Sequence, residues 1–231
     1  MPIKNPIQAV KTIEDLKDKV NHNFFTVLKK EKYQELRPSQ IKAINAGLFE
    51  KKNLLVCTPT GSGKTFIAEL AALNSIYSKE GKAIYIVPLK SLATEKYQLF
   101  TEKYPEKKIA LSIGDTDSSD SYLETYDLII TTSEKLDSLI RHHAPWLKYV
   151  KVVIIDEIHL LNEQDRGPTL EIVITILRHV LKNIQLIGLS ATIGNPKELA
   201  AWLDATLVED SWRPVKLYHG TYLDGKIEFY E

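Results

Sequence analysis

Six short runs constrain the fold most: residues 54–57, 83–87, 109–113, 127–131, 152–155 and 185–189. Each is four or five residues long, dominated by Val, Ile and Leu, and apolar at successive positions. A strand of that kind needs cover on both faces. Helix-like stretches lie between them, at 66–77, 89–103, 133–141 and 169–181. Strand alternating with helix implies a parallel sheet with right-handed crossovers. The 231 residues suffice for one large α/β domain. The segment Ile172-Val173-Ile174-Thr175-Ile176 is β-branched, yet it reads as helix. Gly167-Pro168 opens it, and its apolar pattern runs past Leu181. Asn195-Pro196-Lys197-Glu198 is a further helix start, with Pro at the first helical position. Upstream, Ile7, Val10, Ile13, Leu16 and Val20 fall at helical spacing, and Phe24, Phe25, Val27 and Leu28 form a second amphipathic piece. Residues 1–32 are therefore expected to be a helical packing segment.

The first of these runs leads into Thr58-Pro59-Thr60-Gly61-Ser62-Gly63-Lys64-Thr65, and a helical pattern follows at once. Strand, Gly-rich turn, Lys-Thr and helix is the layout of a phosphate-binding loop. Gly61 and Gly63 permit positive φ and close approach of backbone to ligand. Loop N–H groups and the helix dipole both favour an anion there. Lys64 would supply a point charge to the terminal phosphates, and Thr65 a hydroxyl to Mg²⁺. The pattern usually begins with Gly; Thr58 stands in that place.

The run 152–155 ends in Asp156-Glu157-Ile158-His159. A buried strand that runs into two carboxylates places both at the carboxyl end of the sheet, where open α/β sheets bind ligands. Asp156 suits Mg²⁺, and Glu157 suits orientation of an attacking water. Gln40, in the first turn of a helix starting at Pro38-Ser39, could present donor and acceptor together to an adenine edge, or could be a surface glutamine.

Composition narrows the partners. Lys+Arg and Asp+Glu are both 30, so a strongly basic nucleic-acid binder is not indicated, although a local patch is compatible. The lone Cys57 excludes an internal disulfide, and the six histidines do not join it at zinc-ligand spacing. No apolar run approaches the roughly 18 residues that a membrane span requires, and residues 1–6 lack a signal-peptide core. A soluble cytoplasmic protein is expected. Residues 115–120 read as a solvated acidic loop, and 161–168 as a second loop poor in apolar residues.

Taken together, 58–65, Asp156-Glu157-Ile158-His159 and Ser190-Ala191-Thr192 resemble motifs I, II and III of superfamily-two helicases of the DExH kind. Pro88-Leu89-Lys90-Ser91-Leu92 resembles motif Ia, and Thr131-Thr132-Ser133-Glu134-Lys135 the next nucleic-acid-contacting motif. Gln40 falls at that family's adenine-reading position. Arg166-Gly167-Pro168-Thr169-Leu170-Glu171 and Trp212-Arg213-Pro214-Val215 are similar to the branch of archaeal fork-repair helicases and of exosome-associated and spliceosomal RNA helicases.

The resemblance implies a RecA-like three-layer α/β/α domain over 33–210, with 211–231 beginning a linker toward a second RecA-like domain. It implies ATP and Mg²⁺ as cofactors and Glu157 and Lys64 as catalytic residues. Thr58 to Thr65 and Gln40 would hold nucleotide, with Thr65 and Asp156 on the metal. Lys90, Ser91, Thr131, Thr132 and Ser133 would hold a single strand, DNA rather than RNA. His159, Ser190 and Thr192 would couple the two sites, because the Ser190 strand would lie between the phosphate-loop strand and the Asp156 strand. Motifs IV to VI have no counterpart after Thr192, so an isolated first motor domain with low activity is expected. A nucleoid-associated role follows if the source is archaeal. Thr131 to Ser133 can equally cap the helix after them. An RNA motor of the same branch, a duplex translocase, or a nucleotide-gated binding module remain open alternatives.

Overall fold

The computed structural model describes residues 10–30, 32, 34–114 and 119–230. Strands β1 (Leu54–Cys57), β2 (Lys82–Val87), β3 (Ile109–Ser112), β4 (Leu128–Thr132), β5 (Val150–Ile155), β6 (Gln185–Ser190) and β7 (Thr206–Glu209) form one sheet. Their order is β3-β4-β2-β5-β6-β1-β7, and every neighbouring pair is parallel. β6 lies between β1 and β5, as the resemblance implied.

The period of two assigns each strand's side chains to opposite faces. Leu54, Val56, Tyr85, Val152 and Ile154 join the cluster covered by α1 (His22–Leu28), α2 (Pro38–Asn45), α3 (Lys64–Tyr77) and α4 (Lys90–Lys103). Leu55, Ile84, Ile86, Val153 and Ile155 join the cluster under α5 (Ser133–Arg141), α6 (Gly167–Val180) and α7 (Pro196–Leu203). Burying one such side chain contributes about 1.5–3 kcal/mol, so cover on both faces is what makes these strands viable. The β-branched run at 172–176 is helix: Val173, Ile174 and Leu177 of α6 face the core.

Several expectations require correction. The periodic stretch at 7–20 is not an α-helix over its described part. A short 3₁₀ turn covers Glu14–Leu16, and Thr12 bridges Glu35 as an antiparallel pair. The cause is local: Asp15 Oδ2 accepts from the Lys11 N–H, the Thr12 N–H and the Thr12 hydroxyl, each at 2.9 Å. Such side-chain bonding competes with helix. Val10, Ile13 and Leu16 are nonetheless buried against the sheet's helices. The seventh strand β7, and an antiparallel hairpin of β8 (His219–Leu223) and β9 (Lys226–Tyr230), had not been expected. Tyr222, Leu223, Ile227, Phe229 and Tyr230 of the hairpin are exposed. Among the described residues no helix is long and apolar enough to cross a membrane.

Candidate nucleotide site and adjoining groove

β1 delivers the chain to the loop and α3 begins at Lys64. Gly61 and Gly63 have φ of 81° and 96°, in the left-handed region that only glycine adopts without strain. A Cβ on Gly63 would fall 2.4 Å from Gln40 Nε2, so a side chain there would push the Gln40 amide out of its place. Thr58 is buried, and its hydroxyl lies 2.7 Å from that of Ser62, closing the loop across its base. The departure from Gly at that position therefore has a structural use.

The first turn of α2 holds three consecutive loop carbonyls from behind. The Arg37 guanidinium donates to Gly61 O, the Ser39 hydroxyl to Ser62 O at 2.9 Å, and Gln40 Nε2 to Gly63 O at 3.3 Å. Gln40 Oε1 in turn accepts from the Arg37 N–H at 2.8 Å. Both ends of the Gln40 amide are thus engaged, and its flank borders a cavity of about 280 Å³ with Ile13, Leu36 and Phe66. Carbonyls tied back in this way suit a loop whose amides serve an anion.

Lys64 bends over the loop and donates to Thr58 O at 2.8 Å and Pro59 O at 3.2 Å. Burial lowers its pKa below the ordinary lysine value, while the Glu157 and Asp156 carboxylates oppose that shift. β5 carries Asp156 to the same edge, where its N–H pairs with Ile86 O at 2.8 Å. Asp156 Oδ2 accepts from the Tyr85 hydroxyl at 2.9 Å and lies 3.6 Å from Lys96 Nζ. Lys96 Nζ also donates to Thr65 Oγ1 at 3.1 Å. Tyr85 is fully buried, and burial followed by the Asp156 charge pushes its hydroxyl well above the ordinary value. Glu157 adopts φ 52°, a left-handed conformation that is strained for a side chain of this size and that recurs at functional sites. His159 Nδ1 lies 3.4 Å from Glu157 Oε2.

Motif III touches the loop through the backbone: Thr58 N donates to Ser190 O at 3.2 Å. Ser190 is fully buried opposite Cys57 in the β1–β6 register, whereas Thr192 is exposed. Burial raises the Cys57 thiol to about 11, with the Glu209 charge adding to the effect.

A groove of about 440 Å³ opens on the other side of the β2 end. Leu89, Lys90, Thr132, Lys135 and Arg166 contribute to its wall. Lys90 and Ser91 are exposed. Thr131, Thr132 and Ser133 are only 0 %, 4 % and 4 % exposed. Their side chains are therefore not a free row of hydroxyls: Thr132 Oγ1 accepts from the Lys135 N–H at 3.4 Å and caps α5, and Thr131 donates to Thr132 O at 3.4 Å. Asp120, expected in a solvated loop, instead pairs with Lys135 at 3.0 Å, the two side chains being 10 % and 4 % exposed. Residues 115–118 of that loop lie outside the described residues.

Arg37, Ser39, Tyr85, Lys96 and Arg166 were not singled out as site residues from sequence. The Arg37-Pro38-Ser39-Gln40 cluster at a helix start was a usable signal for the first two. Trp212 also approaches: the Arg37 guanidinium lies 5.7 Å from its ring, and Pro214 packs at Gly61. A separate cavity of about 400 Å³, lined by residues such as Asn74 and Asn183, shares no residue with either site.

A parallel sheet of this order, with a glycine loop at one strand end and paired carboxylates two strands away, defines a RecA-like phosphate-loop domain. Residues 37–199 match the DEAD/DEAH box helicase family, and the chain belongs to it. It is 48% identical over 214 residues to the ATP-dependent DNA helicase Hel308 of Pyrococcus horikoshii, covering 92% of this chain and 29% of that protein. It is 54% identical over 203 residues to the Hel308 of Methanocaldococcus jannaschii, covering 84% of this chain and 17% of that protein. The chain thus spans under a third of these relatives' length. The structure of DUF1998 helicase MrfA bound to DNA is similar over 84% of this chain and 30% of that one, with TM-score 0.71 and 27% identity.

Proposed function

We propose that this chain is the first nucleotide-binding domain of an ATP-dependent DNA helicase motor, serving repair or stalled-fork processing. The observation that carries the reading is convergence. Lys64, Thr65, Asp156 and Glu157 lie at one edge of the sheet, beside a loop whose carbonyls are pinned by α2. The Hel308 likeness, at 48% and 54% identity, favours DNA over RNA.

The donor set fits a magnesium nucleotide. One ammonium already contacts both Thr65 Oγ1 and Asp156 Oδ2, so these two oxygens can serve one cation. Bound Mg²⁺ would neutralise developing phosphate charge. The chain's own residues do the rest. Lys64 carries a full positive charge to the phosphates. Glu157, held in its left-handed turn, orients and polarises water. Gln40 fixes the loop and borders the cavity suited to the base. Lys90 lines the groove, and it and the exposed Ser91 beside it would meet phosphodiester oxygens without reading bases. Thr132 can contribute through the groove wall, with Ser133 and Thr131 behind it. Ser190 and Thr192 would relay loop position, and His159 would report on Glu157. A second RecA-like domain would close over the loop and complete the cleft.

The test is ATP hydrolysis by the full-length protein with and without a single-stranded DNA. Stimulation by DNA and a preference for ATP over GTP are expected. Hydrolysis indifferent to DNA would overturn the motor reading, and equal stimulation by RNA would favour the RNA alternative.

A further inference from the structure

α4 starts just after β2 ends, and its first residue, Lys90, lines the groove. Six residues on, at about 3.6 residues per turn, Lys96 has turned to a different flank of the helix. There its ammonium reaches the nucleotide side. It lies 3.1 Å from Thr65 Oγ1 and 3.6 Å from Asp156 Oδ2, and 5.9 Å from the centre of the Tyr85 ring. The Lys96 and Asp156 side chains are each only 12% exposed. Asp156 is otherwise bonded to the Tyr85 hydroxyl and, through Oδ1, to the Glu157 N–H at 3.1 Å.

We propose that Lys96 is a built-in competitor for magnesium: its ammonium occupies the position between Thr65 and Asp156, and Mg²⁺ must displace it to bind nucleotide productively. The proposal rests on the reading of Thr65 and Asp156 as the magnesium pair.

The physical reason is that two cations cannot share that space. Repulsion between like charges a few ångström apart is strong where water is scarce. The lysine stem is flexible and its head is a compact point charge, so it can withdraw. Withdrawal forfeits a partly buried ion pair and a hydrogen bond. That loss is subtracted from the apparent affinity for Mg²⁺, so Lys96 sets the magnesium concentration at which nucleotide is held. Lys96 is a positioning residue on this account, since it acts through the metal pair.

The experiment is a Mg²⁺ titration of the binding of a fluorescent ADP analogue to the full-length protein. It is paired with Mn²⁺ counted by electron paramagnetic resonance in the presence of ADP, and with a thermal melt. Lys96→Met, which keeps length and removes charge, is expected to lower the half-saturating Mg²⁺ about tenfold and to tighten Mn²⁺ equally. Lys96→Arg is expected to behave as the unmodified protein. An unchanged or raised Mg²⁺ requirement in Lys96→Met overturns the proposal. If Lys96→Met melts early, Lys96→Gln gives the same reading. Asp156→Ala separates the two levels. Should it leave the Mg²⁺ requirement untouched, the magnesium pair itself is wrong. Should it raise that requirement while Lys96→Met changes nothing, only the competitor proposal fails.

Discussion

The two clefts at the carboxyl edge of the sheet are built on opposite plans. The nucleotide side is a backbone device. Positive-φ glycines, three carbonyls held from α2 and a lysine lying over the loop leave few side chains to do the chemistry. The groove is a side-chain device whose components are also core. Thr131, Thr132 and Ser133 are buried, Thr132 caps α5, and Lys135 pairs with Asp120 almost out of solvent. Function and stability are therefore separable on the first side and entangled on the second. Mutations should report that division directly.

The largest effect is expected at Glu157. A water-positioning carboxylate contributes typically 10²–10⁴-fold to the chemical step. Glu157→Gln should lower single-turnover ATP hydrolysis by about that factor, with nucleotide affinity and melting temperature unchanged. Relief of the left-handed turn is not at stake, since Gln replaces Glu at the same φ. Wild-type hydrolysis in the variant would mean that another residue positions the water. Lys64→Ala follows. It should weaken nucleotide binding by about 10- to 100-fold, since a hydrogen bond to a charged group contributes about 1.5–3 kcal/mol, while the fold melts normally. A large drop in stability in either variant would break the contrast between the clefts.

The difference between the clefts also explains what was legible in the sequence. A backbone device is written in adjacent residues, so 58–65 and Asp156-Glu157 could be read directly from type and spacing. The alternation of strand and helix gave the sheet for the same reason, down to the β-branched α6. What could not be read depends on residues far apart. Lys96 and Thr65 are 31 positions apart, and Ser39 and Ser62 are 23 apart. Asp120 looked solvated because its neighbours are polar; Lys135 of α5, 15 positions on, buries it. The segment 7–20 carried a helical period, but Asp15 spends its carboxylate on Lys11 and Thr12. One signal was overlooked outright. Asp224-Gly225, both at positive φ, is the two-residue hairpin turn that joins β8 to β9.

On the groove side, Asp120→Asn should act chiefly on stability. It leaves Lys135, 4 % exposed, without its carboxylate at 3.0 Å. Breaking one half of a nearly buried pair costs up to about 3–5 kcal/mol. The melt should fall, and the double variant Asp120→Asn with Lys135→Met should recover part of the loss. Nucleotide affinity in the folded fraction should not move. An unchanged melt in Asp120→Asn would show that the pair is solvated in solution and that the groove is less entangled with the core than its geometry says.

The smallest effect sharpens the contrast most, because it removes a groove residue that the core does not use. Lys90 is exposed at the start of α4, beside Ser91 and within the groove wall. Lys90 is exposed, so the melt of Lys90→Ala should stay within about 0.5 kcal/mol of the unmodified protein. If Lys90 meets one phosphate, its loss releases one fewer counterion on binding. The slope of log K against log salt for a single-stranded oligonucleotide should then decrease by about 0.7. Affinity should fall to a similar degree for all base sequences, since a phosphate contact carries no sequence information. Titrations of the full-length protein at several salt concentrations measure both quantities. An unaltered slope would remove Lys90 from the nucleic-acid path. A changed slope in Lys90→Ala, set beside a changed melt and no change of slope in Asp120→Asn, would show which groove residues bind and which only build the wall.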